Sequence, residues 1–487
     1  MPAAVSGSSG TTLRRSSARA YAEADRADAF PHTRRPLPWF LAGFLLLLFL
    51  VPIDSTEVRV HLPVDSHLDR FALLILAFAW FWYGGDRRTF LNSRRSKLFV
   101  TAVCIYTVIA VASVLLDAPR IINLGEFTLA EKRFATLGAF IALGWFALSA
   151  LRREDLYGIA SYLIGLGTVT ALGVLLERRT GYNAFYNISA IVLKPFATVA
   201  PSPTDIHPLF GSDGRVTVVG PTVHGLAVTA LMTMVIPFAL VRMLDASTRR
   251  RRLMYAGIFL LLLAGAIATD KKTAVVVPVA MVAYIMFYRR RLLKLMPLGL
   301  VIIVAIVHVA SPGSLGAVFD KSNASSNSTT HRIADFSSVM PDILAHPLIG
   351  RGFGTLDPDE PTIFRINDNE YVDEVWEVGI LGLVAYMWII LAPIVAAQRA
   401  IRSADPVMSS LALSASAGCV GYLVVSGLFD ATSFVQAPYI FFIVASLATI
   451  ASGSTETDTS GHRRSPQMRL RRSPAVAVRH GDASVHA

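Results

Sequence analysis

Apolar residues in this chain are gathered into blocks that are separated by polar stretches. Most blocks are about 16 to 22 residues long, the length with which an α-helix crosses the hydrocarbon core of a bilayer. The blocks contain no Asp, Glu, Lys or Arg, and lipid requires every backbone polar group to be bonded within its own segment, so we predict helices. The predicted spans lie near residues 39–53, 71–85, 98–116, 134–150, 156–176, 225–241, 253–269, 273–288, 295–310, 378–397, 407–429 and 435–452.

Two polar segments are much longer than the others, residues 177–224 and residues 311–377. We therefore expect an all-α polytopic membrane protein with about 12 transmembrane helices and two long extracytoplasmic loops. Residues 38–452 form the predicted transmembrane domain. Residues 1–37 and 453–487 are polar and rich in arginine, and we predict that they are disordered basic tails.

The positions of the basic residues predict the orientation in the membrane. With the N-terminus in the cytoplasm, the cytoplasmic segments hold 30 of the 45 Lys and Arg residues. The acidic residues show the opposite distribution, with 23 of the 34 on the outer side. Both termini are therefore predicted to be cytoplasmic, and both long loops are predicted to lie outside.

The net charge of +11 follows from this arrangement. The basic residues flank membrane spans, where they meet anionic lipid, so we expect no nucleic-acid partner. The two cysteines, Cys104 and Cys419, lie within apolar blocks, which argues against a structural disulfide. The sequence has neither the Cys and His spacing of a metal site nor a phosphate-binding P-loop.

Cationic residues mark the first long loop and a short outer turn. Arg215 precedes His224, which lies at the predicted outer end of a span. A planar guanidinium suits phosphate oxygens, and a lipid headgroup would suit it equally well. Lys271 and Lys272 lie on the outer side against the general charge trend, so they either bind an anionic ligand or are neutralised by Asp270.

The second long loop contains a predicted amphipathic helix over residues 331–345, whose apolar residues share one face. Such a helix would lie along the membrane surface, with a break or kink at Pro341. His331 and Arg332 begin this helix. Three glycines at alternating positions follow in residues 346–354; this pattern has low specificity, but it allows the backbone to approach a ligand closely.

An acidic and amide-rich cluster lies at the mouth of the tenth predicted span. Its members are Asp368, Asn369, Glu370, Tyr371, Asp373, Glu374 and Glu377. They would supply a general base or contacts to sugar hydroxyls, unless they form a solvated acidic rim. With the cations, the cluster predicts an outward-facing site for a lipid-linked, phosphate-bearing donor and an acceptor rich in hydroxyl groups.

Three segments in this region share a recognisable pattern: His346-Pro-Leu-Ile-Gly-Arg-Gly-Phe-Gly354, Asp368-Asn-Glu-Tyr371 and Glu377-Val-Gly-Ile-Leu-Gly382. The pattern resembles the C-terminal signature of the O-antigen ligase and Wzy-type polymerase superfamily. Arg332 matches the loop arginine of that family. Arg215 with His224 resembles an earlier block, with His-Gly where Asn is usual, and Lys271-Lys272 stands where the family often has Ser-Arg.

This resemblance implies a metal-independent glycosyltransferase of the GT-C kind that needs no cofactor and works in the bacterial inner membrane. Such an enzyme takes a glycan from undecaprenyl pyrophosphate on the outer face of that membrane. A flippase and a chain-length regulator are the further partners that this function would have.

The resemblance and the residue chemistry together suggest roles. The predicted ligands of the donor pyrophosphate, which would stabilise charge on the leaving group, are Arg215, Lys272 and Arg332. The predicted proton acceptor for the attacking hydroxyl is Asp368, with Glu370 and His331 as alternatives. The residues predicted to contact the glycan or to hold the loop geometry are His224, Arg351, Asn369, Tyr371 and Glu377.

Asp368 stands where ligases of the family usually carry His, which favours a polysaccharide polymerase. A ligase of the same superfamily is the close alternative and differs in its acceptor. A twelve-span transporter is the alternative from another class, although His308 is the only His, Asp, Glu, Lys or Arg within the predicted spans and ion coupling normally needs such residues. A structural subunit of a polysaccharide assembly complex is the third alternative.

Overall fold

The computed structural model describes residues 30–59, 67–84, 94–206, 217–290, 292, 339–355 and 369–463. Fifteen α-helices and one two-stranded sheet have their bounds within these ranges, together with two short 3-10 turns, Ile53–Ser55 and Arg153–Asp155. The helices are α1 Leu37–Leu50, α2 Leu68–Tyr83, α3 Arg94–Leu116, α4 Ala118–Asn123, α5 Phe127–Ala150, α6 Leu156–Thr180, α7 Ala184–Val192, α8 Pro203–Ile206, α9 Gly225–Thr233, α10 Ile236–Asp245, α11 Arg249–Ile267, α12 Thr273–Tyr288, α13 Glu370–Ile401, α14 Pro406–Ser426 and α15 Gln436–Arg463. The strands are β1 Thr56–Val58 and β2 Ala197–Val199, which pair antiparallel.

Every predicted span whose residues are described coincides with helix, and the span near 295–310 lies outside the described residues. Helices α9 and α10 together form one span, Gly225–Asp245. Seven segments of the described chain are long and apolar enough to cross a bilayer, and α1 and α12 are shorter apolar helices. The chain is therefore an all-α polytopic membrane protein, as predicted.

Helix α13 lies at the centre of the bundle, where it packs against α3, α14 and α15. Its neighbour α15 also packs against α5, and α14 packs against α10 and α12. The largest side chains that these contacts bury completely include Trp376, Tyr422, Tyr439 and Phe441. Helices α2 and α3 also expose large apolar side chains on the surface of the bundle, which suits contact with lipid.

Polar contacts between distant parts of the chain join segments that were predicted to lie on the same side of the membrane. The pairing of β1 with β2 joins two segments predicted to be outside. Three ion pairs join segments predicted to be inside: Arg35–Asp155, Arg153–Asp405 and Arg289–Asp245. This distribution agrees with the predicted grouping of the segments into two sides of the membrane, and it is independent of which side is the cytoplasm.

Several helices extend beyond the apolar spans. Helix α13 begins at Glu370, well before the predicted start at residue 378, because the Asn369 side chain caps it by accepting a hydrogen bond from the Tyr371 amide at 3.0 Å. Helix α5 begins at Phe127 rather than at residue 134. Charged residues that were expected in loops therefore lie on helices, inside the bundle.

The described ends of the predicted tails are also structured. Phe30 is buried and packs edge-to-face on Tyr162, with 5.6 Å between the ring centroids. The last helix continues to Arg463, beyond the predicted span end at residue 452.

A buried carboxyl group follows α1. Asp54 lies in the short 3-10 turn Ile53–Ser55, beside the amide of the buried Gln436. Burial raises the pKa of Asp54 to about 7; the Gln436 amide opposes this rise, and the nearby Asp69 adds to it. Asp69 itself accepts a hydrogen bond from the Tyr439 hydroxyl at 2.7 Å.

The raised pKa of Asp54 predicts that stability depends on pH. Because the folded state binds this proton more tightly than the unfolded state, stability falls as pH rises from about 4 to 7 and levels off above 7. The expected loss is on the order of 2–4 kcal/mol. Asp54→Asn should remove the part of the loss that Asp54 causes, so the variant should lose less stability than the wild type between pH 5 and pH 8, as measured by thermal unfolding in detergent.

The exposed Glu57, three residues further on, provides the control. Glu57→Gln should keep the pH dependence of the wild type. An Asp54→Asn variant that lost as much stability between pH 5 and pH 8 as the wild type would show that another group is responsible.

Candidate functional site

A break in α13 organises the candidate site. Gly379 has φ 71° and ψ −174°, so the helix is interrupted there. In an unbroken helix, the amides of Ile380 and Leu381 would donate to the carbonyls of Trp376 and Glu377. The break separates these groups, and in a membrane-spanning helix each unpaired backbone group would cost several kcal/mol.

The backbone of the glycine-rich segment 346–355 fills this break. Its hydrogen bonds are Ile380 N to Pro347 O at 3.0 Å, Leu381 N to Leu348 O at 3.2 Å, Arg351 N to Trp376 O at 3.0 Å and Gly352 N to Glu377 O at 3.0 Å. The four separated groups thus all regain partners. Two motifs that lie more than twenty residues apart in sequence form one unit here.

The close approach of the two backbones explains the glycines. At Gly350 a methyl group would overlap the carbonyl of Glu377, and at Gly379 it would overlap the backbone of Leu348. Both glycines also have positive φ, 75° and 71°, which side-chain-bearing residues rarely adopt. Gly354 packs against the side chain of Arg133.

A cavity of about 40 Å³ lies beside this unit, between α3, α5, α13, α14 and α15. Its polar wall is formed by Tyr106, Arg133, Glu370, Asp373, Glu374, Glu377 and Thr432. Its apolar wall includes Leu137, Phe140, Phe353, Ile389, Phe441 and Phe442. The space holds a few water-sized groups and brings carboxylates next to aromatic rings.

The carboxylates of this cavity are buried and differ in their partners. Both oxygens of Glu370 accept hydrogen bonds from Thr432, from its amide and its hydroxyl, each at 2.9 Å. Glu377 Oε2 accepts a bond from the Gly354 amide at 3.0 Å. Glu374 Oε1 accepts a bond from the Tyr106 hydroxyl at 2.8 Å. The expectation of a solvated acidic rim is therefore wrong, since Glu370, Glu374 and Glu377 are only 1%, 5% and 7% exposed.

Arg133 is the cation at this wall of the cavity. It donates to the Thr432 hydroxyl at 2.6 Å and lies 3.9 Å from Asp430 Oδ1. Burial of the Asp430 carboxyl favours a higher pKa, but the guanidinium of Arg133 and the hydrogen bonds to the carboxyl, including those from Ser433, hold that pKa below its ordinary value. The segment 427–435 is thus tied to both α5 and α13.

Segment 427–435 also contacts His224, the residue that the sequence analysis grouped with Arg215. The His224 ring stacks on Phe434, with 5.3 Å between the centroids and 20° between the planes. His224 also caps α9, because its Nδ1 accepts a hydrogen bond from the Leu226 amide at 3.3 Å. The side chain of Lys271 packs against Gly225, at the start of that helix, whereas Lys272 is exposed.

Residues 257–387 match the family model Wzy_C, which is described as O-antigen ligase. This part of the chain is therefore similar to the O-antigen ligase family. The matched region contains the glycine-rich segment, the break in α13 and three of the buried carboxylates. No curated protein matches the chain.

Several predicted site residues in this region make contacts that position the glycine-rich segment 346–355 and the start of α13. Arg351 is 6% exposed and pairs with Glu126 at 2.6 Å, while its carbonyl accepts a hydrogen bond from Arg120. Asn369 caps α13, and the Tyr371 hydroxyl donates to a carbonyl of α14. These contacts fit the predicted role in loop geometry better than direct contact with a glycan.

Four predicted site residues lie outside the described residues: Arg215, His331, Arg332 and Asp368. Their roles remain predictions. Of the predicted amphipathic helix, the described part, residues 339–345, is helical.

The structure adds residues that the sequence reasoning missed: Tyr106, Arg133, Asp430 and Thr432. Arg133 and Asp430 each lie directly beside a predicted span. An ionisable residue at the edge of a span is a candidate functional residue, so this position could have identified both. Tyr106 and Thr432 carried no comparable signal, because their partners are distant in the chain.

The filled break predicts a large effect of small substitutions. Gly379→Ala and Gly350→Ala should each destabilise the protein by about 2 kcal/mol or more, through positive φ and backbone overlap. Gly257→Ala is the matched control, since a methyl group there meets nothing within 4 Å. The measurement is the thermal unfolding midpoint in detergent, and equal midpoints for all three variants would contradict the packing described.

Proposed function

We propose that the chain is a polysaccharide polymerase that transfers glycan repeat units carried by undecaprenyl pyrophosphate. The reaction takes place at the outer face of the bacterial inner membrane. The observation that supports this most directly is the O-antigen ligase domain at residues 257–387, because its motifs pack into one unit that forms part of a buried carboxylate cavity. The domain itself indicates a ligase or polymerase type of function.

The site has two halves of opposite charge, which suits a reaction between a pyrophosphate donor and a hydroxyl acceptor. The buried carboxylates disfavour an anion in the cavity. The basic residues near His224 and Lys271 would attract one. Segment 427–435 contacts both halves, through Phe434 at His224 and through Thr432 at Glu370.

In the proposed reaction, a hydroxyl oxygen of the acceptor attacks the anomeric carbon of the donor glycan. The bond from that carbon to the pyrophosphate oxygen breaks, and undecaprenyl pyrophosphate leaves with inversion at the carbon. Arg215, Lys272 and Arg332 stabilise the charge that develops on the leaving group. The step uses neither a metal ion nor a cofactor in this proposal.

Asp368 is the preferred acceptor for the proton of the attacking hydroxyl. Glu370 is less suited to this role, because both of its oxygens already accept hydrogen bonds from Thr432. His331 is the further alternative. A chain-length regulator and a flippase are the expected partners of a polymerase.

A ligase of the same superfamily is the alternative within this chemistry. Deletion experiments distinguish the two. Loss of a polymerase leaves single repeat units attached to their acceptor, whereas loss of a ligase leaves long chains on the lipid carrier. A transporter would instead move solute across proteoliposomes without any change in glycan length.

Substitution of two residues tests the proposed chemistry. Asp368→Asn should reduce polymer formation by about a hundredfold or more through loss of the base, and Arg332→Ala should do so through loss of a charge-stabilising donor. The measurement is the length and amount of extracted polymer at equal membrane levels of the protein.

Asp482→Asn and Arg250→Ala make the same chemical changes in the C-terminal tail and in a predicted cytoplasmic segment. Both controls should retain wild-type polymer. Unchanged polymer in Asp368→Asn and Arg332→Ala together would overturn the assignment.

A further inference from the structure

Glu374 differs from the other buried carboxylates of the cavity. Its Oε1 accepts the hydrogen bond from Tyr106, but its Oε2 has no hydrogen-bond partner among the described residues. The residue is 5% exposed and lines the cavity. Because a buried carboxylate oxygen without a donor is costly, Oε2 is suited to accept a hydrogen bond from a ligand.

The surroundings of Glu374 define the kind of donor that would complete the site. Glu370, Asp373 and Glu377 line the same small cavity, and Arg133, the cation that lines it, already lies beside Asp430. This surplus of acidic groups disfavours a phosphate or a carboxylate as the ligand. Among the described residues, no group of three His, Cys, Asp or Glu side chains is arranged to hold a metal ion. A neutral O–H donor therefore fits best.

The remaining walls favour a sugar over an isolated water molecule. Phe140, Phe441 and Phe442 form an apolar wall on which the C–H face of a sugar ring can pack. Arg133 lines the same cavity, and its side chain is 26% exposed. At about 40 Å³, the space admits the edge of one ring rather than a whole oligosaccharide.

We propose that Glu374 and Tyr106 form a subsite for a hydroxyl group of the acceptor glycan. The O–H of the glycan donates to Glu374 Oε2, and Tyr106 fixes the carboxylate by donating to Oε1. This inference rests on the proposed function, because the glycan is the ligand. It assigns acceptor recognition to the carboxylate cavity, apart from the cations that hold the donor.

The test separates acceptor binding from transfer. The probe is the repeat-unit oligosaccharide released by mild acid from its lipid carrier, which keeps the acceptor hydroxyls and lacks the pyrophosphate. Its dissociation constant is measured by titration calorimetry on the purified full-length protein in detergent. Polymer formation from intact lipid-linked repeat units is measured in parallel.

Glu374→Gln should weaken oligosaccharide binding at least tenfold, because a charged hydrogen-bond acceptor is lost. Tyr106→Phe should weaken it by a smaller factor, since the carboxylate remains but loses its orientation. Glu131→Gln, which changes an exposed carboxylate two residues before Arg133, should bind like the wild type. The thermal unfolding midpoint shows whether each variant is folded. If Glu374→Gln does not fold, the oligosaccharide affinity of Tyr106→Phe tests the subsite.

The outcomes distinguish the two proposals. If the wild type forms polymer and the folded variants bind the oligosaccharide as tightly as it does, the subsite is overturned and the proposed function stands. If the wild type neither forms polymer nor binds the oligosaccharide, both proposals fail. Weakened binding in the two cavity variants, with binding by Glu131→Gln unchanged, supports the subsite.

Discussion

The exchange of backbone hydrogen bonds between segment 346–355 and the break at Gly379 is the interaction on which the rest of the site depends. A membrane-spanning helix cannot leave four backbone groups unpaired, because lipid supplies no partner. The segment supplies all four bonds. The first turns of α13 are thereby held against α3 and the glycine-rich segment, with Glu374 beside Tyr106 and Glu377 beside Gly354.

The site that results separates charge in space. Carboxylates line the small cavity, and Lys271 packs against Gly225, next to His224, whose ring stacks on Phe434 of segment 427–435. A single chain segment contacts both sides, since Thr432 binds Glu370 and Phe434 packs on His224. This arrangement suits a reaction whose donor is a pyrophosphate and whose acceptor is a hydroxyl, because each substrate meets the charge that favours it.

Much of the fold followed from local pattern, because lipid imposes a strong constraint on apolar block length. The motifs that contain Glu370, Arg351 and Gly379 could be recognised in the sequence because they are short and contiguous, and the structure packs them together. It missed how far the helices extend, because charged residues count against a span even when they are paired inside the protein. Arg133 is the clearest case, because it lies on α5 and its partner Asp430 is hundreds of residues away in the chain.

The central claim is that the cations proposed to bind the donor, Arg215, Lys272 and Arg332, lie on the same side of the membrane as the carboxylate cavity. Single cysteines at Lys272, Arg332 and Ser433, in a background with Cys104 and Cys419 replaced by alanine, test it with a membrane-impermeant maleimide. The account predicts that all three react from outside intact spheroplasts, while a cysteine at Arg250 reacts only after permeabilisation. Labelling of position 433 from one side and of positions 272 or 332 from the other would contradict it.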